Sequence, residues 1–389
     1  MLISLEEARK IIDNANIRNA NIRSESIYNA VGKVAGRDIV AKIDIPEFNI
    51  SAMDGFAFNI SDYKKYGKLK IAGKIFPSSL AIPQLKEGEA YYVATGSPIP
   101  KGANAVARIE ATKISGDNQI VFSEDVFEGK DIKFAGEDVK KGDIIVRKGE
   151  VINHYHLGVL TMQKIREVNI VDINSCVLAS GDELCPYDSP EDNKIPDSIS
   201  PILISILRKF GVTNYFGIVS DQKESLKTKL ESMIENCDYI VLIGGSSVGE
   251  KDYSKRVIAE LGELLFEGVS VNIIKRGGVG VVNGKPIINL PGQVVSALTV
   301  FHEHGLHMIS RMIGQEVRKY EKYILSEDMQ VEHKMDSIYL FNTIGVLAKP
   351  LRWGTGLYSE LIKAKGFGVL KRGRIYHKGD EIELQHLIL

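Results

Sequence analysis

The chain has 389 residues, 44% of them hydrophobic and 25% charged, and its 49 basic and 50 acidic side chains leave a formal net charge of −1. That length exceeds what one core fills and implies several domains. The charge balance argues against a nucleic-acid or polybasic membrane surface, and no apolar run approaches the roughly 20 residues of a membrane span. Three cysteines, Cys176, Cys185 and Cys237, form no C-x-x-C and read as free thiols of a cytoplasmic protein.

Ser4 and Glu7 form a capping box before apolar residues at helical spacing, so the chain opens on an amphipathic helix rather than a signal peptide. The pattern predicts a second helix over about Ser26 to Ala35, ending at Gly36. Short β-like runs follow to about Ala135. Among them Thr112-Lys113-Ile114 and Gln119-Ile120-Val121-Phe122 flank the turn Ser115-Gly116-Asp117-Asn118 as a hairpin. A small barrel or sandwich fits this interval. Val151 to Lys164 then reads as a helix that returns to the N-terminal segment, which makes the β interval an insertion.

From about Asn174 the rhythm becomes β-loop-α. Cys176-Val177-Leu178-Ala179, Phe216-Gly217-Ile218-Val219 and Ile240-Val241-Leu242-Ile243 alternate with helices over about Ser200–Lys209 and Lys223–Glu235. Strand-like runs at Ser270 to Ile274 and Pro286 to Leu290 precede a closing helix from about Val294 to Met312. Such alternation predicts a mostly parallel, doubly wound sheet, whose ligands bind beyond the carboxyl ends of its strands. Beyond about Arg318 the chain is β-like and turn-rich. The expected domains are 1–50 with 136–173, a discontinuous helical and β domain; 51–135, an inserted β-barrel-like domain; 174–317, the α/β domain; and 318–389, a C-terminal β domain.

The loop after Ile243, Gly244-Gly245-Ser246-Ser247-Val248-Gly249-Glu250-Lys251-Asp252, suits an anion, because adjacent glycines admit close backbone approach and successive N–H groups and hydroxyls cradle phosphate. It is neither a Walker A nor G-x-G-x-x-G, and a tight turn is the alternative reading. Glu183, Asp221 and Asp252 follow strand ends; such acids are also common helix caps and turn formers. His302-Glu303-His304-Gly305-Leu306-His307 is not H-E-x-x-H, and only His304 and His307 share a helical face, so it reads as a polar helix face rather than a metal cluster.

Six stretches, in order, resemble the molybdopterin molybdenumtransferases (MoeA and the E domain of gephyrin). They are Pro46-Glu47-Phe48-Asn49-Ile50-Ser51-Ala52-Met53-Asp54-Gly55-Phe56-Ala57; Thr95-Gly96-Ser97-Pro98-Ile99-Pro100-Lys101-Gly102-Ala103-Asn104-Ala105-Val106; Gly136-Glu137-Asp138 with Lys141-Gly142; Ser180-Gly181-Asp182-Glu183-Leu184; the glycine-rich loop; and Leu290-Pro291-Gly292-Gln293-Val294-Val295-Ser296. The resemblance implies insertion of molybdate, or tungstate, into adenylylated molybdopterin with release of AMP. It also implies a homodimer whose site is shared between the α/β domain of one subunit and the N-terminal parts of the other, and it leaves open an adenylyltransferase partner.

Both substrates are anions, yet the matching residues are largely acidic. A carboxylate about 4 Å from a phosphate oxygen is repelled by roughly 4 kcal/mol at an effective dielectric of about 20. Mg²⁺ between them removes the conflict. On this reading Glu183, Asp221 and Asp252 hold Mg²⁺ or the ribose, and Asp54 and Asp138 reach phosphates through metal or water. Thr95 orients a phosphate oxygen or the attacking species. Ser180, Gly181 and Asp182 contact substrate, while Gly244, Gly245, Ser246, Ser247 and Gly249 cradle the nucleotide phosphate. Lys275 and Arg276 add positive charge, and Pro291, Gly292 and Ser296 line the oxyanion pocket. Three places depart from the family pattern: Arg276-Gly277-Gly278-Val279 for P-G-K-P, Gln293-Val294 for N-P, and Ile199 for the Asn of D-S-N. These departures motivate a second reading, a catalytically weak molybdopterin-binding carrier or scaffold.

Overall fold

The computed structural model describes residues 2–79, 81–116, 118–244 and 253–387. The chain folds as two compact units, Asp38–Val146 with Gly158–Ile165, and Met1–Arg37 with Arg147–Leu157 and Arg166–Leu389.

The smaller unit is built on a six-stranded sheet in the order Ala105–Arg108, Gly55–Phe58, Glu89–Val93, Leu69–Ile75, Gln119–Phe122, Thr112–Ser115. Alternation sends Phe56 and Phe58 to one packed face, with Leu69 and Ile120, and Ala57 to the other, with Ile75 and Val93. Both faces are therefore covered. The expected hairpin is present, with Ser115 opposite Gln119 and Asn118 at φ 60° in its turn. A short helix, Ile60–Tyr66, starts at Asn59, whose side chain accepts from the Ser61 N–H, and stops at Gly67 in the left-handed region.

In the larger unit a mixed sheet runs Thr213–Val219, Ser175–Ser180, Tyr239–Ile243, Lys285–Leu290, Gly278–Val282, Glu263–Phe266. The first four strands are mutually parallel, Gly278–Val282 is antiparallel to Lys285–Leu290, and Glu263–Phe266 is antiparallel in turn to Gly278–Val282. Helices Ser200–Leu207 and Lys223–Asn236 match the expected positions. Leu203 and Leu207 of the first join Val177, Val241 and Ile288 on one face of the sheet, and Leu226 and Leu230 of the second join Leu178, Leu242 and Ile287 on the other. Beyond Arg318 five strands close into a barrel: Asp336–Ile344, Leu347–Pro350, Tyr320–Leu325, Glu381–His386 and Gly366–Leu370, the last paired back to the first. Its interior holds Leu325, Phe341 and Leu384. The multidomain α/β-plus-β architecture expected from the sequence is thus present.

Four local expectations are corrected. Residues 26–35 are not a helix: Asn21–Ser26 is a strand antiparallel to Glu167–Asp172, and the N–H groups of Gly32, Val34, Ala35 and Gly36 bond to Ile152, Lys209, Glu150 and Asn169. Long-range partners take the bonds an i→i−4 ladder would need. The run Ser270 to Ile274 is not in the α/β sheet; Val271–Asn272 pairs in parallel with the barrel strand Asp336–Ile344. Cys176 and Cys237 are not free thiols but form a disulfide between strand Ser175–Ser180 and the C-cap of helix Lys223–Asn236, with Cα atoms 6.0 Å apart, leaving Cys185 buried and free. Their spacing of 61 residues hides a proximity that only the fold creates, and the thiol argument for a reducing compartment falls with it.

The fourth correction concerns the histidines. Helix Val294–Val300 continues through a π-helical stretch, Phe301–Gly305, into Leu306–Ile313. Here His302, Glu303, His304 and His307 are all buried, at 5% exposure or less, rather than on a polar face. Arg9 of the first helix, Leu5–Asn14, grips Glu303 with two bonds of 2.6 and 3.0 Å, and Arg318 lies 3.6 Å away. Burial alone would push the Glu303 carboxyl up, but these cations hold it below the usual range.

Burial lowers His302 and His304 to about 4. Between that value and the ordinary 6.5 the unfolded chain binds more protons, so stability must rise with pH across this window and fall on acidification. Each group withdraws up to about 3 kcal/mol by its lower limit. The melting temperature is expected to drop from pH 7 to pH 5, and His302→Gln/His304→Gln to flatten that slope; an unchanged slope in the variant refutes the assignment. For the disulfide, unfolded and unreduced protein should titrate as a single thiol. Reduction should cost about 4 kcal/mol of stability, from the entropy of the released loop.

Candidate active site

Four parallel strands release their chains at one edge, and the expected site residues of the larger unit follow from that. In sheet order, Ser220-Asp221 follows Val219, Gly181-Asp182-Glu183 follows Ser180, Gly244 follows Ile243, and Pro291-Gly292 follows Leu290. Register aligns these exits, since Ser180 lies opposite Val219, Ala179 opposite Ile243, and Ile243 opposite Leu290. The antiparallel strand Gly278–Val282 begins where its neighbour ends, with Gly278 opposite Asn289. Lys275 and Arg276, both exposed, therefore reach the same edge from the opposite chain direction. The expected strand before them is absent from this sheet, yet the placement of the two cations holds.

Where the outermost strand Thr213–Val219 and its neighbour Ser175–Ser180 end, the side chains engage one another. Ser180 donates its hydroxyl to Asp221 Oδ1 at 2.9 Å, and the Asp221 N–H lies 3.3 Å from Asp182 Oδ1. Two glycines make this possible. A Cβ on Gly244, at φ 93°, would stand 2.5 Å from the Ser180 carbonyl oxygen, and one on Gly181 would stand 2.8 Å from the Glu183 carboxylate. Ser180 and Asp221 pack closely against Ser220, Gln222, Tyr253 and Ser254, around a recess too narrow to hold a water. Gly245, Ser246, Ser247, Gly249 and Asp252, expected to cradle phosphate and hold metal, lie outside the described residues.

The departures from the family pattern acquire a physical reading. Ile199 and Val294 are 5% and 2% exposed and belong to the main core. Asp197, beside Ile199, is spent on structure: it accepts from the Ser200 N–H at 3.1 Å and from the Tyr215 hydroxyl at 3.0 Å. Ser296, expected to line the oxyanion pocket, is 4% exposed within its helix, and Pro291 is buried while Gly292 is exposed.

Two polar groups at this edge were not singled out from the sequence. Asn289 is fully buried, and neither its amide oxygen nor its nitrogen has a partner among the described residues; the hydroxyl of Ser254 is likewise unpartnered. Alternation puts Asn289 on the face of Ile287, the face that packs the Ser254 helix, Tyr253–Leu261. The available signal was an amide interrupting the apolar run Ile287-Ile288-Asn289-Leu290.

The smaller unit carries Asp54, Thr95 and Asp138. Asp54 Oδ1 accepts from both the N–H and the hydroxyl of Thr95, at 2.6 and 2.8 Å. These two bonds, the backbone one first, hold the exposed carboxyl below its usual range, so it is a carboxylate at neutral pH. Thr95 thus serves first to orient Asp54. The Asp-Gly pair is also sterically set, because a Cβ on Gly55 would lie 2.0 Å from the Ala107 carbonyl oxygen of the neighbouring strand. Asp138 is exposed, and its N–H bonds to the Ile45 carbonyl at 3.0 Å.

Among the described residues no three His, Cys, Asp or Glu side chains gather as a metal site. What the edge offers is hard carboxylate oxygen, from Asp221 and the exposed Glu183. That donor chemistry suits Mg²⁺, which takes one or two carboxylates and completes its shell with water and substrate phosphate.

Residues 3–163 match the family described as "MoeA N-terminal region (domain I and II)", and residues 176–311 match "Probable molybdopterin binding domain". A protein of Methanocaldococcus jannaschii, provisionally described as a molybdopterin biosynthesis protein, is 30% identical over 98% of both chains. The molybdopterin molybdenumtransferase of Haemophilus influenzae is 29% identical over 75% of this chain and 73% of its own. The crystal structure of a molybdopterin biosynthesis MoeA protein from Pyrococcus horikoshii superposes with a TM-score of 0.81 over the whole of both chains, at 26% identity. The chain belongs to the MoeA family of molybdenum-cofactor biosynthesis proteins, which includes the gephyrin E domain.

Proposed function

We propose that this chain is a molybdopterin molybdenumtransferase that inserts molybdate or tungstate into adenylylated molybdopterin and releases AMP. The observation that carries the reading is the Ser180–Asp221–Asp182 arrangement at the carboxyl edge, on a chain similar over its full length to MoeA proteins. A homodimer and a cytoplasmic setting are parts of the same reading.

Asp221 and Glu183, with Asp252, would hold Mg²⁺, which when bound neutralises phosphate charge and eases departure of AMP. Ser180 fixes the Asp221 carboxylate by its 2.9 Å bond, so one oxygen keeps a set direction and the other remains for the ligand. Lys275 and Arg276 supply the positive charge that draws two anionic substrates to an acidic edge. Asp54, kept ionised by Thr95, acts from the smaller unit of the partner subunit as a fixed acceptor for water or metal-bound phosphate. The carrier reading rests on the loop departures. Burial of Ile199 and Val294 in the core weakens it, since those changes alter packing rather than ligand contacts.

The test is AMP release from adenylylated molybdopterin with Mg²⁺, with and without each oxyanion. AMP appearing only with oxyanion, together with metal-loaded cofactor, supports the transferase. Tight binding of the adenylylated pterin with no AMP under either oxyanion establishes the carrier instead. Asp221→Asn and Asp54→Asn should each lower turnover about 100-fold without unfolding the protein. If the site is shared, mixing the two inactive variants under subunit exchange regenerates intact sites and recovers about a quarter of wild-type activity, whereas no recovery excludes sharing.

A further inference from the structure

A cavity of about 490 Å³ in the larger unit contains none of the carboxyl-edge residues. It opens between the start of helix Leu5–Asn14, the buried Glu303, and the outer face of the barrel strands Gly366–Leu370 and Glu381–His386. Leu5, Phe367 and Val369 give it an apolar wall, and its size is that of a small-molecule site.

Its charges decide what it can hold. Five carboxylates line it, from Glu6, Glu303, Asp336, Glu381 and Glu383, against three cations, Arg9, Lys371 and Arg374. Most are already matched. Arg9 is committed to Glu303, Lys371 to Asp336 at 3.0 Å, and Glu381 to Lys322 at 2.7 Å. Arg374 stacks on Tyr376, 4.5 Å from its ring centre, and with no carboxylate partner among the described residues it offsets one acid and leaves a small acidic excess. Glu6 and Glu383 make no ion pair among the described residues, although Glu383 stands within the field of Arg9 and Lys322. The helix N-terminus does not reverse this balance, because Ser4 caps it and Glu6 and Glu7 occupy its first turn.

The floor adds an independent sign. Gln385 is 3% exposed; its Nε2 donates to the His302 carbonyl at 2.8 Å, but its Oε1 has no partner. The hydroxyl of Tyr320, also lining the cavity, is buried and unpartnered. An unmatched acceptor at the floor calls for a donor from outside the chain.

We propose that this cavity binds a small organic cation, a primary amine or guanidine on a short aliphatic chain. Its charge is met by Glu6 and Glu383, its stem lies along Leu5, Phe367 and Val369, and its N–H groups answer Gln385 Oε1 and the Tyr320 hydroxyl. Anions such as nucleotides or molybdate are disfavoured by the acidic excess, so this site is distinct from the one at the sheet edge and does not rest on the transferase reading.

The experiment is calorimetric and melting-temperature titration of the full chain with agmatine and spermidine, with AMP and citrate as anionic controls. A saturable response to agmatine, with Kd below about 1 mM, is expected. Glu6→Gln/Glu383→Gln should weaken it about tenfold while leaving the unliganded melting temperature unchanged, because both side chains are exposed. Tyr320→Phe should weaken it as well. No saturable binding up to about 10 mM, equal binding by the double variant, or tighter binding of citrate or AMP than of agmatine each overturns the proposal.

Discussion

Parallel strands have no choice about where their chains emerge. Once Thr213–Val219, Ser175–Ser180, Tyr239–Ile243 and Lys285–Leu290 are hydrogen-bonded side by side in one direction, four successive loops must leave from the same edge. The polar residues of those loops are dispersed over more than a hundred positions of sequence, and the sheet alone collects them. Glycine sets the limit of approach: Gly244 brings its loop against the Ser180 carbonyl at a distance no side chain permits. Everything chemical at that edge, from the Ser180–Asp221 bond to the nearby cations, depends on this alignment.

A second constraint holds the rest of the larger unit to the sheet. Glu303 is a carboxylate inside the protein, and its cost is offset only while Arg9 and Arg318 face it. Arg9 comes from the first helix and Arg318 from the entry to the barrel, so one buried charge ties both ends of this unit to the long helix after the sheet. The neutral histidines on either side of Glu303 bring polar groups inside without a second charge. The same neighbourhood borders the cavity, where acids outnumber the cations left to meet them.

What could be read from the sequence was whatever has a local cause. Glycine after a strand, Asp-Gly before one, the hairpin at Ser115 to Asn118 and the helix periods at Lys223–Asn236 each carry their own signal, and each stands in the structure where the pattern put it. What stayed hidden depends on a partner far along the chain. The run from Ser26 to Ala35 has helical spacing, but its later N–H groups find carbonyls at Ile152, Lys209 and Glu150. Cys176 and Cys237 look unrelated until the end of helix Lys223–Asn236 meets strand Ser175–Ser180. The histidine run looked like a surface stripe because nothing local announces that Arg9 will cover it.

The same distinction bears on chemistry. Sequence pattern could nominate Asp54, Thr95 and Asp221, but not the division of labour among them. Thr95 spends both its N–H and its hydroxyl on one oxygen of Asp54, and Ser180 spends its hydroxyl on one oxygen of Asp221. Each acid is thereby held ionised or oriented by a neighbour of its own unit, before any ligand arrives. A carboxylate fixed in this way repels a bare phosphate and attracts a hydrated divalent cation, which is why the proposed function pairs these acids with substrates that arrive with a counterion. Lys275 and Arg276 then need only supply the long-range attraction, a task that exposed, unfixed side chains perform well. On the proposed reading, oriented acids and exposed cations are complementary parts of a site for anions that carry a metal.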